Sequence, residues 1–295
     1  MPCYTSSRVR WLSGITAILT GITVGCQDQR PAAESGSVDA PVATSATFAA
    51  ETDDRFSQSF AQATSDDIGD EQQLPPDVTV AGKATAPIRE TVEKLWPNIA
   101  LLDSAGKPIS VVVSLETEEG PIEIALRPAL APNHVRSFIA LVRAGYYDGL
   151  RFDRVVHQEA VQADGTKLRI DLVKAGCPAG TGDPGVGHIG YHLKPEISDV
   201  KHEEGTVGFS RDADANTGGV RFYITLGSAP ALDGHYTVVG RVTNGMEVVK
   251  KIAAGKLLAP EIDPTRELPE RPVVIRKATA TTGGLADGGP VTHNK

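Results

Sequence analysis

Residues 120–156, GPIEIALRPALAPNHVRSFIALVRAGYYDGLRFDRVV, constrain the fold more than any other stretch. Ile122, Ile124 and Leu126 recur at every second position, the pattern of a strand with one buried face. Pro132 suits a first helical position, where its missing N–H loses nothing. Val135, Phe138, Ile139 and Val142 then repeat at i, i+3, i+4 and i+7, giving a helix with one apolar face. Gly145 stops that helix. Tyr146–Gly149 turns the chain, and Phe152, Val155 and Val156 carry it into a second strand with Arg154 inside. The unit reads strand, helix, aromatic turn, strand.

The rest of the chain adds strands to it. Val111, Val113 and Leu115 alternate, and Glu118-Glu119-Gly120 makes a hairpin turn. Short strands follow at 170–174, 205–210, 222–226, 236–242 and 273–275. Asn244 can cap a second helix that carries Val248 and Ile252. Short strands, turn signals and two internal helices predict a mainly β domain closed into an antiparallel barrel.

Five segments, in order, resemble the cyclophilin family of peptidyl-prolyl isomerases: GPIEIAL, APNHVRSFIALVRAGYYDGLRFDRVV, GTVGFSR at 205–211, RFYITLG at 221–227 and LDGHYTVVGRVTNGMEVVKKI at 232–252. They span roughly 110–278. The resemblance implies a cyclophilin-like barrel of eight antiparallel strands with two helices capping its open ends. It implies a peptidyl-prolyl cis–trans isomerase that needs no cofactor or metal and takes proline-containing polypeptides.

The flanks read differently. Arg8 and Arg10 precede a moderately apolar run from Trp11 to Val24, an export signal too short and polar to span a bilayer. Thr23-Val24-Gly25-Cys26 resembles a bacterial lipoprotein cleavage box, with Cys26 as the lipidated residue and Thr23 departing from the usual large aliphatic. Residues 1–26 are therefore expected to be a signal peptide. Residues 27–82 are poor in large apolar side chains and strongly acidic, which predicts a disordered tether. Ile88, Val92, Leu95 and Trp96 share one face of a helix within a lead-in over 83–108 that packs on the outside of the domain. The domain proper is placed at 109–280, and 281–295 reads as a flexible tail. Localisation follows as the cell envelope, anchored by lipid and facing the periplasm, with the folded part a monomer.

Several functions are disfavoured. A net charge of −8 over 295 residues argues against phosphate or nucleic-acid binding. Removal of the signal at Cys26 leaves Cys177 alone, so no intramolecular disulfide or cysteine metal cluster can form, and an inert buried thiol is expected. His188 and His192, four apart, would be the core of a metal-dependent hydrolase, but Gly190 lies between them and no helical pattern puts them on one face.

The chemistry of prolyl rotation sets what a site must contain. Amide resonance sets a barrier of about 18–20 kcal/mol, and a catalyst need only favour the twisted state over both planar ones. An apolar pocket holds the ring, a donor meets the prolyl nitrogen when its lone pair is released, and further donors hold a flanking carbonyl. Arginine suits the donor role, being always charged and presenting a rigid fork. By resemblance, Arg154 is the catalytic arginine. Phe152, Leu172, Tyr223, Leu232 and Tyr236 are expected to line the proline pocket, and Lys174 and Arg221 to replace the family's two carbonyl-binding glutamines. The family's pocket phenylalanine aligns with Asp171 or, one register away, with Leu172. Asp171 is expected to pair with Arg154, Lys174 or Arg221, because an unpaired carboxylate in an apolar wall would cost several kcal/mol. These substitutions also admit a rival reading, a cyclophilin fold kept as a peptide-binding or scaffold module with little turnover.

Overall fold

The computed structural model describes residues 53–65, 73–161 and 166–282. The expected signal peptide with Cys26, most of the acidic segment and the tail beyond 282 lie outside the described residues.

The alternating patterns become strands. β2 (Val111–Thr117) and β3 (Gly120–Leu126) pair as the expected hairpin, with Val111, Val113, Leu115, Ile122, Ile124 and Leu126 at most 2% exposed. α3 (Pro132–Arg143) follows and buries Val135, Phe138, Ile139 and Val142. Its first turn has no side-chain cap of its own. Glu196 supplies one from a distant loop, accepting from Asn133 N (3.1 Å) and His134 N (2.9 Å), where the helix N-terminus favours negative charge.

β4 (Phe152–Val161) and β5 (Lys167–Ala175) form a long hairpin, and β7 (Thr206–Phe209), β8 (Phe222–Thr225), β9 (Val238–Asn244) and β10 (Ile275–Thr282) complete the sheet. The polar stretch 157–169 thus supplies the end of one long strand and the start of the next. The strand order is β10-β2-β3-β9-β7-β8-β5-β4, with every neighbouring pair antiparallel. α4 (Met246–Ala253) buries Val248, Val249 and Ile252.

The expected closed barrel is corrected to a curled, open eight-stranded sheet. No ladder joins the edge strands β4 and β10. The approach to β10 meets 149–155 only through one isolated bridge, Arg151–Val274, and single bonds such as Phe152 N to Val273 O (2.9 Å) and Val155 N to Glu267 O (2.8 Å). Between those two bonds, residues 268–270 turn to 256–258 instead, through Leu258 N to Leu268 O (2.8 Å) and Glu270 N to Lys256 O (2.8 Å).

The disordered reading of 27–82 is also corrected where the structure describes it. α1 (Phe60–Ala63) is closed by a capping box between Ser59 and Gln62, and β1 (Thr64–Ser65) pairs with β6 (His192–Leu193). Phe60 packs edge-on to Trp96 (5.4 Å) and Tyr191 (5.1 Å). The Arg136 guanidinium lies over the Trp96 ring at 5.3 Å and donates to Phe56 O at 2.5 Å. The lead-in helix α2 (Thr85–Leu95) buries Ile88 and Val92, with Trp96 just beyond it, against the main core. Two aromatic side chains anchor a segment whose average composition is polar; composition alone hid them.

Candidate functional site

The outer face of β4, β5 and β8 carries the candidate site. Register aligns Arg154 with Lys174, and Lys174 with Tyr223, so the three occupy one row across adjacent strands. The next row pairs Val156 with Leu172. Opposed side chains in such rows stand about 4.5–5.5 Å apart at Cβ.

A β-bulge makes this arrangement possible. Phe152 pairs with Ala175 and Arg154 with Lys174, leaving Asp153 as an extra residue on β4. Without the bulge, Phe152 and Arg154 would share a face, because side chains alternate with period two. With it, Phe152 points into the main core, fully buried and 6.4 Å from Phe222, while Arg154 points outward. The expected place of Phe152 in the proline pocket is therefore corrected.

Leu172, Tyr223 and Leu232 form a separate apolar cluster with Val156, Ile170 and Ala229, and Tyr236 and Ala231 pack against it. Leu172, Tyr223 and Leu232 are each under 5% exposed, so the cluster is closed upon itself. Tyr223 and Tyr236 meet edge-on at 6.0 Å, and Arg211 caps the Tyr236 ring at 4.5 Å. Gly208 leaves room for this packing, since a Cβ there would overlap the Tyr223 hydroxyl.

Arg154 does not stand open. Its Nε donates to Gly182 O (3.0 Å), its Nη1 to Glu267 Oε2 (3.0 Å) and Thr265 Oγ1 (3.5 Å), and its Nη2 to Asp183 Oδ1 (2.9 Å). Four of its five N–H groups are thus engaged. Gly182 has φ +66°, and a side chain there would collide with Arg154 Cγ at 2.7 Å, so only glycine lets this loop close on the arginine. Glu267 also accepts from Gln158 Nε2 at 2.7 Å.

The expected carbonyl anchors diverge. Lys174 stays on the outer face, half-buried; burial, then the neighbouring Arg221 charge, pushes its ammonium below the usual lysine range. Arg221 is not a free donor to substrate. It is 5% exposed, pairs with Asp212 at 2.6 Å and donates to the Gly182 and Asp183 carbonyls, so it fastens the glycine-rich loop to the sheet. Asp171 pairs with His157 (2.7 Å) and Arg169 (2.5 Å) rather than with Arg154, Lys174 or Arg221.

Asp153, in the bulge, is 1% exposed. Burial raises its carboxyl to about 6, although a bond from Cys177 N and the charges of Arg221, Lys174 and Arg154 oppose the rise. Cys177 is a free, buried thiol. His188 and His192 are both buried, with ring centroids 4.5 Å apart. His188 bonds to Gln73 O and Gly190 N, and no group of three or more potential metal ligands occurs among the described residues. Asp183, Glu267 and Asp233 were not legible as site residues. Their partners lie tens of residues away, and only the Gly-rich composition around 180–190 hinted at a loop pressed against another surface.

Comparisons agree on the kind of protein this chain is like. Residues 112–280 match the family model "Cyclophilin type peptidyl-prolyl cis-trans isomerase/CLD". The chain is 36% identical over 143 residues to the Arabidopsis thaliana "Peptidyl-prolyl cis-trans isomerase CYP18-2", covering 48% of this chain and 80% of that protein. It is 37% identical over 153 residues to a "Probable peptidyl-prolyl cis-trans isomerase" of Brucella suis biovar 1 (strain 1330), covering 52% and 76%. Among solved structures, it is similar to a Cryptosporidium parvum cyclophilin-type isomerase crystallised in the presence of the dipeptide Ala-Pro, at 22% identity and a TM-score of 0.48, covering 58% of this chain and 99% of that one.

Proposed function

From the premise that this chain belongs to the cyclophilin-type peptidyl-prolyl cis–trans isomerase family, we propose how its own residues twist an X–Pro bond. The prolyl ring enters between Leu172, Tyr223, Leu232 and Tyr236, whose closed cluster parts to admit it. Arg154 donates to the prolyl nitrogen as resonance is lost, which stabilises the twisted state selectively. Lys174, one strand over, donates to a flanking carbonyl. The row Arg154–Lys174–Tyr223, with Leu172 beside it, carries this reading.

The test is isomerisation of a short X–Pro peptide by the full chain and by Arg154→Ala. Losing one charge-assisted donor of about 1.5–3 kcal/mol should lower kcat/KM roughly 10- to 150-fold. Peptide affinity should change little. Equal turnover by both proteins would remove Arg154 from the mechanism.

The resting state of Arg154 favours a second reading. With Glu267 and Asp183 on its fork, the domain could bind peptides well while turning them over slowly.

The substrates we infer are proline-containing segments of exported proteins. The charged and apolar pattern of residues 1–26 supports export, and Cys26 in its TVGC setting supports a lipid anchor. Mass spectrometry of the mature N-terminus checks this; an unmodified Cys26 or a cut elsewhere removes the anchor.

A further inference from the structure

Beneath the apolar cluster lies a buried polar relay. Tyr223 Oη stands 2.8 Å from His202 Nε2, and His202 Nδ1 stands 2.9 Å from Asp233 Oδ1. Both Tyr223 and His202 are 1% exposed. A carboxylate beside Nδ1 assigns the ring proton to that atom, so Nε2 is left to accept from the tyrosine hydroxyl. Asp233 Oδ1 also accepts from His202 N (2.8 Å), and Oδ2 faces Lys201 Nζ at 3.4 Å. Ala229 N donates to His202 O at 2.9 Å.

The relay ties two walls together. Tyr223 is the floor of the apolar cluster. Asp233 follows Leu232 on the loop that forms its side, and Ala229 belongs to the same loop. His202 bonds to both, by ring and by main chain. A phenylalanine at 223 would fill the same volume but leave His202 Nε2 without its donor in a dry place, which is unfavourable. The hydroxyl therefore links Tyr223, through His202, to the loop that carries Leu232 and Asp233.

We propose that His202 and Asp233 are positioning residues for prolyl-ring binding, acting through the Tyr223 hydroxyl to hold the pocket at the width of a pyrrolidine ring. The proposal rests on the reading of this cluster as the proline site. Neither residue touches substrate. Their effect belongs to binding rather than to the rotation step.

The experiment is a double-mutant cycle on the full chain with an X–Pro peptide, using Tyr223→Phe, Asp233→Asn and the double variant, with Kd, kcat and KM measured for each. Each single variant should weaken Kd and raise KM about fivefold, the worth of one net hydrogen bond, with kcat within twofold. The double variant should bind about as weakly as either single one, because both changes break one relay. Unchanged affinity in Tyr223→Phe overturns the proposal. So do additive effects, or a lowered Tm with Kd and kcat intact, which would make the relay a fold contact only. Leu172→Ala is measured alongside. Full peptide affinity in that variant would overturn the site reading itself, and the relay with it.

Discussion

Glu267 Oε2 and Arg154 Nη1 stand 3.0 Å apart, joining residues 113 positions distant in the chain. The loop that delivers Glu267 is built for the task. Asp263 accepts from Glu267 N (2.7 Å), Leu268 N (2.8 Å) and the Thr265 hydroxyl (2.5 Å). Burial pushes the Asp263 carboxyl up, but these bonds outweigh it and hold it below the usual range. Arg266, next to Glu267, is the one non-glycine residue with positive φ (55°) among the described residues. Such a backbone costs on the order of 1–3 kcal/mol and persists only where its surroundings impose it.

Glu267→Gln should therefore speed catalysis. It keeps the shape and removes the charge that competes with substrate for the fork. Both side chains are about one-tenth exposed, so solvent screens the pair little. An increase in kcat/KM of roughly three- to tenfold is expected, checked by exchange NMR on an X–Pro peptide. A fall instead would assign Glu267 to orienting Arg154.

Gly208→Ala should damage the pocket. The added methyl would meet the Tyr223 phenol and the Thr237 carbonyl. Displacing the ring should cost about 1–3 kcal/mol of stability and weaken peptide binding. Thermal denaturation and peptide titration read the two effects.

Asp153 and His192 should give opposing pH slopes. The folded Asp153 carboxyl is raised from 3.8 to about 6, so between those values the unfolded chain releases the proton first and stability falls as pH rises. The folded His192 ring is lowered from 6.5 to about 4 by burial and by His188, so over nearly the same window stability rises with pH. Each is worth on the order of 3 kcal/mol at 1.36 kcal/mol per unit of pKa, so they nearly cancel. Asp153→Asn should unmask a steeper gain in Tm from pH 4 to pH 6 than the parent protein shows. An identical profile would mean that Asp153 ionises normally.

Phe60→Ala should show that the N-terminal segment belongs to the fold. Phe60 is 8% exposed against Trp96 and Tyr191, and its loss should cost about 3 kcal/mol. Urea unfolding measures it. A change under 0.5 kcal/mol would return this segment to the status of a loose tether.

Much of the domain is legible in the sequence. The periodicities at 111–126, 132–143 and 246–253 became strands and helices at those places. Arg154, Lys174, Leu172, Tyr223, Leu232 and Tyr236 were picked out by motif, and the sheet register and loop packing gather them on one face. Phe152 went to the wrong side because a single extra residue in β4 inverts the alternation, and nothing in FDRVV marks that bulge. Phe56 and Phe60 were lost in a polar average.

The sequence by itself determined the order of elements, the buried faces and the residue types available to the site, because periodicity, turn chemistry and motif spacing act over a few residues. Only the tertiary structure decided that the sheet stays open, that Asp153 bulges, that Arg221 fastens a loop and that Glu267 sits on Arg154. Those outcomes depend on contacts between distant segments. The physical reason is that a carboxylate finds a guanidinium by the register of strands and the course of a loop, and neither leaves a local trace in the chain.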